Sequence, residues 1–486
     1  MLGSVARGAP DSRSGRALSD WLDWLPSIVI GAGLIVLALL AYWLPGSDRL
    51  YNHFVWQALA FLDGRAAIDW PVPGGPGSLG NEYFQDVFPI TGPNGELTGR
   101  GLLPFPPLPA VVLVPFVALW GLATDERAIS VVIGAIDVGL CWWALGRLAV
   151  SRSIRLAATL FFAFGTVFWY AAQLGTTWFL AHVVAIPFLL LAVGIALGTD
   201  LDADEPVDEG PGSRDLLAAL GRAARAPQEL LEPRQVLAGF LFGVACTARV
   251  TIAFGAPFFM LVGAGGSWPR RTISAAVGAA IPLGALALYN LASTGHLFTP
   301  VYEYLYRIEA TGYPGLHYNP AWSIEDVRYL PQNLAIMFLS TPAFLPDQLT
   351  SAGIPVRTLC TAAGAVRGLF DPGCPIAIPR DVGLGLLFTS PAYLLALPAI
   401  LSARSRLVAG AALAVLAIGL VNLMHFSQGW VQFGYRFSND FVVFAVLLVA
   451  VGMARRSRVG WLGLALIGAS IAINLWGVIW GNVLGW

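Results

Sequence analysis

Apolar runs separated by short polar stretches fill most of the chain. Most of the runs approach the ~20 residues a helix needs to cross a hydrocarbon core ~30 Å thick. The first covers residues 25–43; later ones cover 128–146, 156–172, 179–197, 272–289, 382–401, 407–426, 440–453 and 461–480. The stretch 236–266 is apolar apart from Arg249 and fits either one tilted helix or two short ones. Arg234 before it and Arg270-Arg271 after it belong on the same side of a membrane, which favours two. Residues 110–120 are apolar too, but Pro115 interrupts them, and eleven residues at 1.5 Å each reach only about 17 Å. That piece is expected to lie in the interface, inside a loop.

The pattern predicts an all-α polytopic membrane protein of about eleven spans, a single domain over 25–486 behind a tail at 1–24. Two large loops, 44–127 and 291–381, fall on one side, with interfacial helices expected at 54–64, 110–120 and 334–345. The polar stretch 199–235 falls on the other side.

Composition agrees. Hydrophobic residues are 57% of the 486 and charged residues 12%, against roughly 25% charged in soluble chains. A net charge of −1 offers no basic field for nucleic acid. All 28 basic residues are arginine, so Lys-based Schiff-base or phosphate chemistry is excluded, and any phosphate must meet a guanidinium. Arg7, Arg13 and Arg16 precede the first run, which reads as a retained helix rather than a cleaved signal. Asp48, Asp63, Asp69, Glu82, Asp86 and Glu96 follow it. The positive-inside rule then puts the N-terminus and loop 199–235 in the cytoplasm and both large loops outside. Cys141 and Cys246 lie in apolar runs as packing residues; Cys360 and Cys374 share an external loop and could form a disulfide in an oxidising compartment.

Polar chemistry gathers on the external side. His53, His182, His296, His317 and His425 all fall in or beside external loops, as do Asp48, Asp86, Tyr435, Arg436 and Asp440. Asp48, just past the first span and half-shielded from water, has the setting of a general base for an acceptor hydroxyl; helix capping is the plainer alternative. Arg249 and Asp137 are the ionisable residues placed within spans, where charge is costly and functional suspicion is the default. Asp137 equally suits a buried hydrogen bond or a partner for an arginine. The second large loop carries Tyr302, Glu303, Tyr304, Tyr306, Arg307, Tyr313, His317, Tyr318 and Trp322. Such aromatic faces with interspersed polar groups suit sugar rings, and equally a membrane interface.

Asp48, then Tyr51-Asn52-His53-Phe54 running into Ala58-Leu59-Ala60-Phe61-Leu62-Asp63-Gly64-Arg65, then Asp86 ahead of Pro106-Pro107-Leu108-Pro109-Ala110, resembles the first external loop of the GT-C glycosyltransferases. The pattern is nearest the bacterial protein-mannosyltransferase-like group. Phe164-Gly165-Thr166, Tyr289-Asn290, Thr389-Ser390-Pro391-Ala392 and Gly434-Tyr435-Arg436-Phe437 with Asp440 extend the resemblance over most of the chain. The resemblance implies a bundle in the bacterial cytoplasmic membrane. It would move a sugar, with inversion, from a polyprenyl-phosphate donor to a protein, lipid or glycan acceptor on the outer face.

It also implies Asp48 as catalytic base. Arg49 stands where many relatives have a second acid, so Asp86 or Glu82 must supply it, with Glu82 and His53 beside the acceptor. Arg436, Arg249 and His182 are the expected donor-phosphate residues in place of lysines, and Tyr302, Tyr304 and Tyr435 the expected substrate contacts. Interfacial anchoring, alone or paired with Asp440, is the alternative for Arg436. The first external loop has no DxD-like pair, so no metal is required, and a divalent cation stays open. A transporter or lipid flippase is the rival reading, though no internal repeat supports it; a non-catalytic assembly subunit is the third.

Overall fold

The computed structural model describes residues 25–43, 51–69, 86–200, 231–298, 301, 319, 321–351, 354–402, 405–429, 431–455 and 459–486. The described residues are mostly helical (66%). Helices α1 (Ser27–Trp43), α2 (His53–Leu62) and α3 (Leu108–Trp120) precede α4 (Glu126–Leu145), and the bent pair α5 (Arg152–Phe164) and α6 (Phe168–Leu174) leads to α7 (Thr177–Thr199). Then come α8 (Pro233–Cys246), a 3-10 turn (Val250–Gly255), α9 (Ala256–Leu261) and α10 (Trp268–Thr294). The second loop holds α11 (Leu330–Leu339). Beyond it lie α12 (Leu386–Thr389), a 3-10 turn (Pro391–Ala396), α13 (Leu397–Leu401), α14 (Arg406–Met424), a 3-10 turn (Arg436–Asp440), α15 (Val442–Ala454) and α16 (Trp461–Leu484).

Every expected span coincides with helix, but not every one with a long helix. Five helices among the described residues, α4, α7, α10, α14 and α16, are long and apolar enough to cross a bilayer, and α5 with α6 makes a sixth across a 51° bend. The remaining apolar helices run 10–17 residues. The breaks have local causes. At the α5–α6 bend the Thr166 hydroxyl donates to the Phe162 carbonyl and accepts from the Phe168 amide, taking over backbone partners that a continuous helix would use. Residues 236–266 form two helices, as the flanking arginines require, and Arg249 is the residue at the turn.

Burial sorts the helices by role. In α7 78% of the most apolar window is buried and α15 is buried along nearly its whole length, so these two form the centre. In α10 only 28% is buried, as expected of a helix facing lipid. Lipid supplies no hydrophobic drive between helices, so close backbone packing must. Gly239 of α8 illustrates this: a Cβ there would meet the Ala275 backbone of α10.

The two large loops depart from the purely helical expectation. In the first, β1 (Ile68–Asp69), β2 (Phe88–Thr91) and β3 (Leu97–Leu102) form an antiparallel sheet in the order β1-β3-β2, pairing Ile68 with Gly101 and Phe88 with Leu102. It covers a small core of Ala60, Ile68, Val87 and Leu103. In the second, β4 (Ala343–Phe344) pairs with β7 (Ala377–Ile378) and β5 (Gln348–Ser351) with β6 (Ile354–Thr358). A Cys360–Cys374 disulfide, Cα atoms 4.4 Å apart, closes a segment of the second loop, the pairing their shared loop had left open, and Cys141 and Cys246 are buried and unbridged. Segments rich in Gly and Pro lose helical propensity, and loops outside the hydrocarbon can pair as strands without carrying unsatisfied backbone into lipid.

Hydrogen bonds between helix ends divide the bundle into two ends. At one, Arg155 donates to Trp142 O and Ser27 Oγ, Arg152 to Leu25 O, and Arg406 to Asp200, whose other oxygen accepts from the Gly263 amide. At the other, Arg127 joins Trp43 O to Gln173 O. That second end also carries both sheet-bearing loops and nearly all the candidate chemistry.

Candidate active site at the loop-bearing end

The first turns of α7 gather the site. Gly175, in the left-handed region at φ +62°, ends α6 and turns the chain into α7; a Cβ there would come within 2.7 Å of Ser130 Cβ and 2.9 Å of Arg127 Cα. Thr177 follows. Its hydroxyl donates to Tyr51 O (3.0 Å) and meets His53 Nδ1 (2.7 Å) and the His53 amide (3.1 Å), fastening the first loop to the bundle. His53, expected beside the acceptor, is fully buried in this role. Trp178 donates from Nε1 to Asp86 Oδ2 at 2.7 Å, and its ring stands edge-on to Tyr51 (5.0 Å) and His53 (5.6 Å).

Asp86 itself sits at φ +61°, a strained backbone for a residue other than glycine, and is 7% exposed. Strand β2 begins two residues later, so the sheet fixes Asp86 at the mouth of α7. Burial first, then the Asp86 carboxylate, raises the Tyr51 phenol above its ordinary value.

One turn further along α7, on the face that carries Trp178, His182 Nδ1 lies 2.8 Å from Asp440 Oδ1. The approach is within ion-pair reach but is not aligned as a hydrogen bond. Asp440 is fully buried at the end of its 3-10 turn and is surrounded by donors. Arg249 forks onto both oxygens (Nε 3.0 Å, Nη2 2.9 Å), while Thr251 Oγ1 (2.7 Å) and Asn422 Nδ2 (3.2 Å) reach Oδ2. Arg249 is 21% exposed, and its Nη1 makes no hydrogen bond among the described residues. Asp440 is thus the partner of Arg249 rather than of Arg436. The Arg436 guanidinium stands over Phe179 (5.6 Å) and over Phe437 (5.3 Å), and Arg249 over the same Phe437 ring (5.4 Å).

Arg436, Arg249 and His182 therefore come together around Phe437. Several polar groups beside them are buried with no partner among the described residues: His182 Nε2, the Tyr435 hydroxyl, Ser438 Oγ and both amide atoms of Asn439. Buried polar atoms in a folded protein are nearly always bonded, by protein groups or by water. Both carboxyl oxygens of Asp137 are also unpartnered, so the arginine allowed for it by the sequence is absent among the described residues.

An apolar cavity of about 450 Å³ opens nearby between α2, α3, α8 and α10, lined by Phe61, Leu108, Val111, Val244, Thr247 and Tyr289 among others. Thr247 stands two residues before Arg249 and its carbonyl accepts from the Leu108 amide, and Gln57 donates to the Tyr289 hydroxyl (3.0 Å). Among the described residues no three His, Cys, Asp or Glu side chains group to hold a metal ion.

Asp48, Glu82, Tyr302 and Tyr304 lie outside the described residues. Thr177, Thr251, Asn422 and Phe179 escaped the sequence reading, and Phe437 entered it only within a motif, without a role. They are common residues in apolar surroundings; Thr251 and Asn422 show only through the Arg249–Asp440 pairing across 191 positions, and Thr177 through its bonds to the first loop. No family model, curated protein or solved structure matches the chain.

Proposed function

We propose that the chain is a membrane glycosyltransferase of GT-C-like architecture, taking a sugar from a polyprenyl-phosphate donor at the loop-bearing end of the bundle. One observation carries the reading. The first two turns of α7 join the first-loop acid Asp86, through Trp178, to the arginine and histidine cluster at Asp440, through His182. A carboxylate and a cationic polar cluster one helical turn apart match the two needs of the reaction: deprotonating an acceptor hydroxyl and receiving a departing phosphate. In this proposal Asp48 is the general base and Asp86 the second acid. Arg436, the exposed edge of Arg249 and His182 Nε2 meet the phosphate, and the apolar cavity beside Thr247 takes the start of the isoprenoid chain. The full set of about eleven spans belongs to the same proposal, with the shorter helices completing the bundle.

Purified chain should carry a polyprenyl phosphate detectable by mass spectrometry of its co-purifying lipid. Asp48→Asn should keep that lipid while lowering transfer from a panel of polyprenyl-phosphate sugars by about 10²-fold or more, the usual share of a general base. Unchanged transfer by a folded Asp48→Asn protein would overturn the mechanism.

The transporter or flippase reading draws on the 51° bend between α5 and α6, since broken helices are a transporter device. Lipid movement across vesicles that persists in Asp48→Asn, with no transfer by the unmodified chain, would favour it.

A further inference from the structure

The second external loop exposes large apolar side chains where a loop in water would not. Leu339 is 75% exposed and Val366 85%, with Phe338, Leu369 and Phe370 each more than 40% exposed. Two hydrogen bonds fix how deep this surface lies. Trp480 of α16 donates from Nε1 to Leu369 O (3.2 Å), and Asn333 of α11 donates to Leu423 O (2.8 Å) in the last turn of α14.

Helix α16 starts at Trp461, 81% exposed at the opposite end of the bundle. Trp480, buried within the bundle, follows nineteen residues later, about 28 Å along a 1.5 Å rise, so the stretch between them is as long as a hydrocarbon core of ~30 Å is thick. Leu423 lies seventeen residues into α14, about 25 Å from its start at Arg406. Both anchors therefore set the loop, by helix length, at the level of the bilayer interface.

We propose that this loop is not a free domain in water. Its disulfide-closed segment, Val366 with Leu369 and Phe370, and the outer face of α11, Phe338 with Leu339, insert into the acyl-chain region of the membrane leaflet. The occupant of the apolar face is lipid, by continuity with the lipid-facing sides of α14 and α16. The arginines nearby are already used inside the loop: Arg367 bonds Pro346 O, Pro375 O and Asp347, Arg357 bonds Pro372 O, and Arg380 bonds Thr341 O. Attachment thus rests on apolar burial, and anionic lipid is not needed for it. The inference depends on the chain spanning a membrane and is independent of any transferase activity.

The test uses the full chain in nanodiscs of zwitterionic phosphatidylcholine. A nitroxide on a genetically encoded keto-phenylalanine is placed at Val366, Phe370 or Phe338, with Ile281 on α10 (61% exposed) as lipid reference and exposed Asn94 as water reference. Relaxation by oxygen against a water-soluble nickel chelate should fall on the Ile281 side of the midpoint. Values at the Asn94 level, or exclusion of both reagents by a covering protein, overturn the proposal. The unmodified chain gives a second reading. A phospholipid with a diazirine in its upper acyl chain should leave adducts within residues 338–339 and 366–370. Adducts on α10 without any there also overturn it.

Discussion

Taking a carboxylate out of water costs several kcal/mol unless donors replace its hydration, and at Asp440 an arginine fork, a hydroxyl and an amide do so. The converse also holds: removing Arg249 strands a fully buried anion. Arg249→Ala should therefore cost about 3 kcal/mol, the low end for breaking a buried pair, because Arg249 is one-fifth exposed. Arg249→Leu with Asp440→Leu should regain most of that loss, since no unpaired charge remains. Thermal unfolding of the two purified proteins in the same detergent checks this, and equal losses in both would show that the pair is not what holds the turn. The sequence made Arg249 suspicious through its apolar surroundings and Asp440 through its place at a span end. It could not pair them, because nothing in local pattern links residues 191 positions apart. Arg436 was the nearer arginine, and proximity in sequence was a poor guide.

Loops show the same limit in another form. The run Pro93-Asn94-Gly95 between Ile90 and Leu97 is a turn signal flanked by extended residues, and the hairpin β2–β3 was legible from it; the expectation of interfacial helices obscured it. The attachment of the second loop at α14 was not legible at all. There the Phe426 amide bonds Ile324 O (2.7 Å), the Asp326 amide bonds Met424 O (2.8 Å), and His425 Nδ1 lies 3.2 Å from Glu325 Oε1. Burial pushes the Glu325 carboxyl up, but the hydrogen bond and charge of His425 outweigh it and leave it below the usual value of 4.5. A lowered carboxyl stabilises the folded loop fully above its ordinary value and stops doing so as pH falls through the lowered one. With the side chain 55% exposed the gain is about 0.5 kcal/mol. With the His425 imidazole protonated, Glu325→Gln should thus speed exchange of the Phe426 amide about twofold just above the usual carboxyl value, and the difference should vanish in stronger acid. A difference that persists in strong acid would contradict the assignment. The disulfide works on the same element. Cys360→Ser with Cys374→Ser reopens a loop with a separation of 14 residues. It should lower the local stability of the β5–β6 region by about 3 kcal/mol. Faster proteolysis within 343–378, with helical circular dichroism unchanged, is the expected record.

At the scale of the whole molecule the hydrophobic pattern carried furthest, because a helix in lipid must satisfy its own backbone and its length is set by the bilayer. Helix existence followed from that rule, and the flanking arginines gave the break at Arg249, but the break at Thr166 was not legible, since it depends on a hydroxyl answering backbone groups. The two ends of the bundle now give the charge rule a sharper basis. Arginines at the loop-bearing end are largely neutralised or absorbed: Arg65 by Asp63 and Asp69, Arg249 by Asp440, Arg328 by Asp326, and Arg127 by two carbonyls. At the other end Arg152, Arg155, Arg270, Arg271 and Arg406 stand in the first turns of α5, α10 and α14, with Arg147 and Arg455 just past α4 and α15; several are bonded too, Arg406 to Asp200 and Arg270 to Glu232, so it is their number beside span ends that governs insertion. The prediction is that the loop-bearing end faces outward and residues 199–235 face the cytoplasm. Asn94→Cys and Glu209→Cys report on it against a quiet background, because Cys141 and Cys246 are buried and Cys360 and Cys374 are bonded to each other. A membrane-impermeant maleimide should label Asn94→Cys in intact cells and Glu209→Cys only after permeabilisation. The reverse pattern would turn the molecule over, and with it the side on which any lipid-linked donor must be presented.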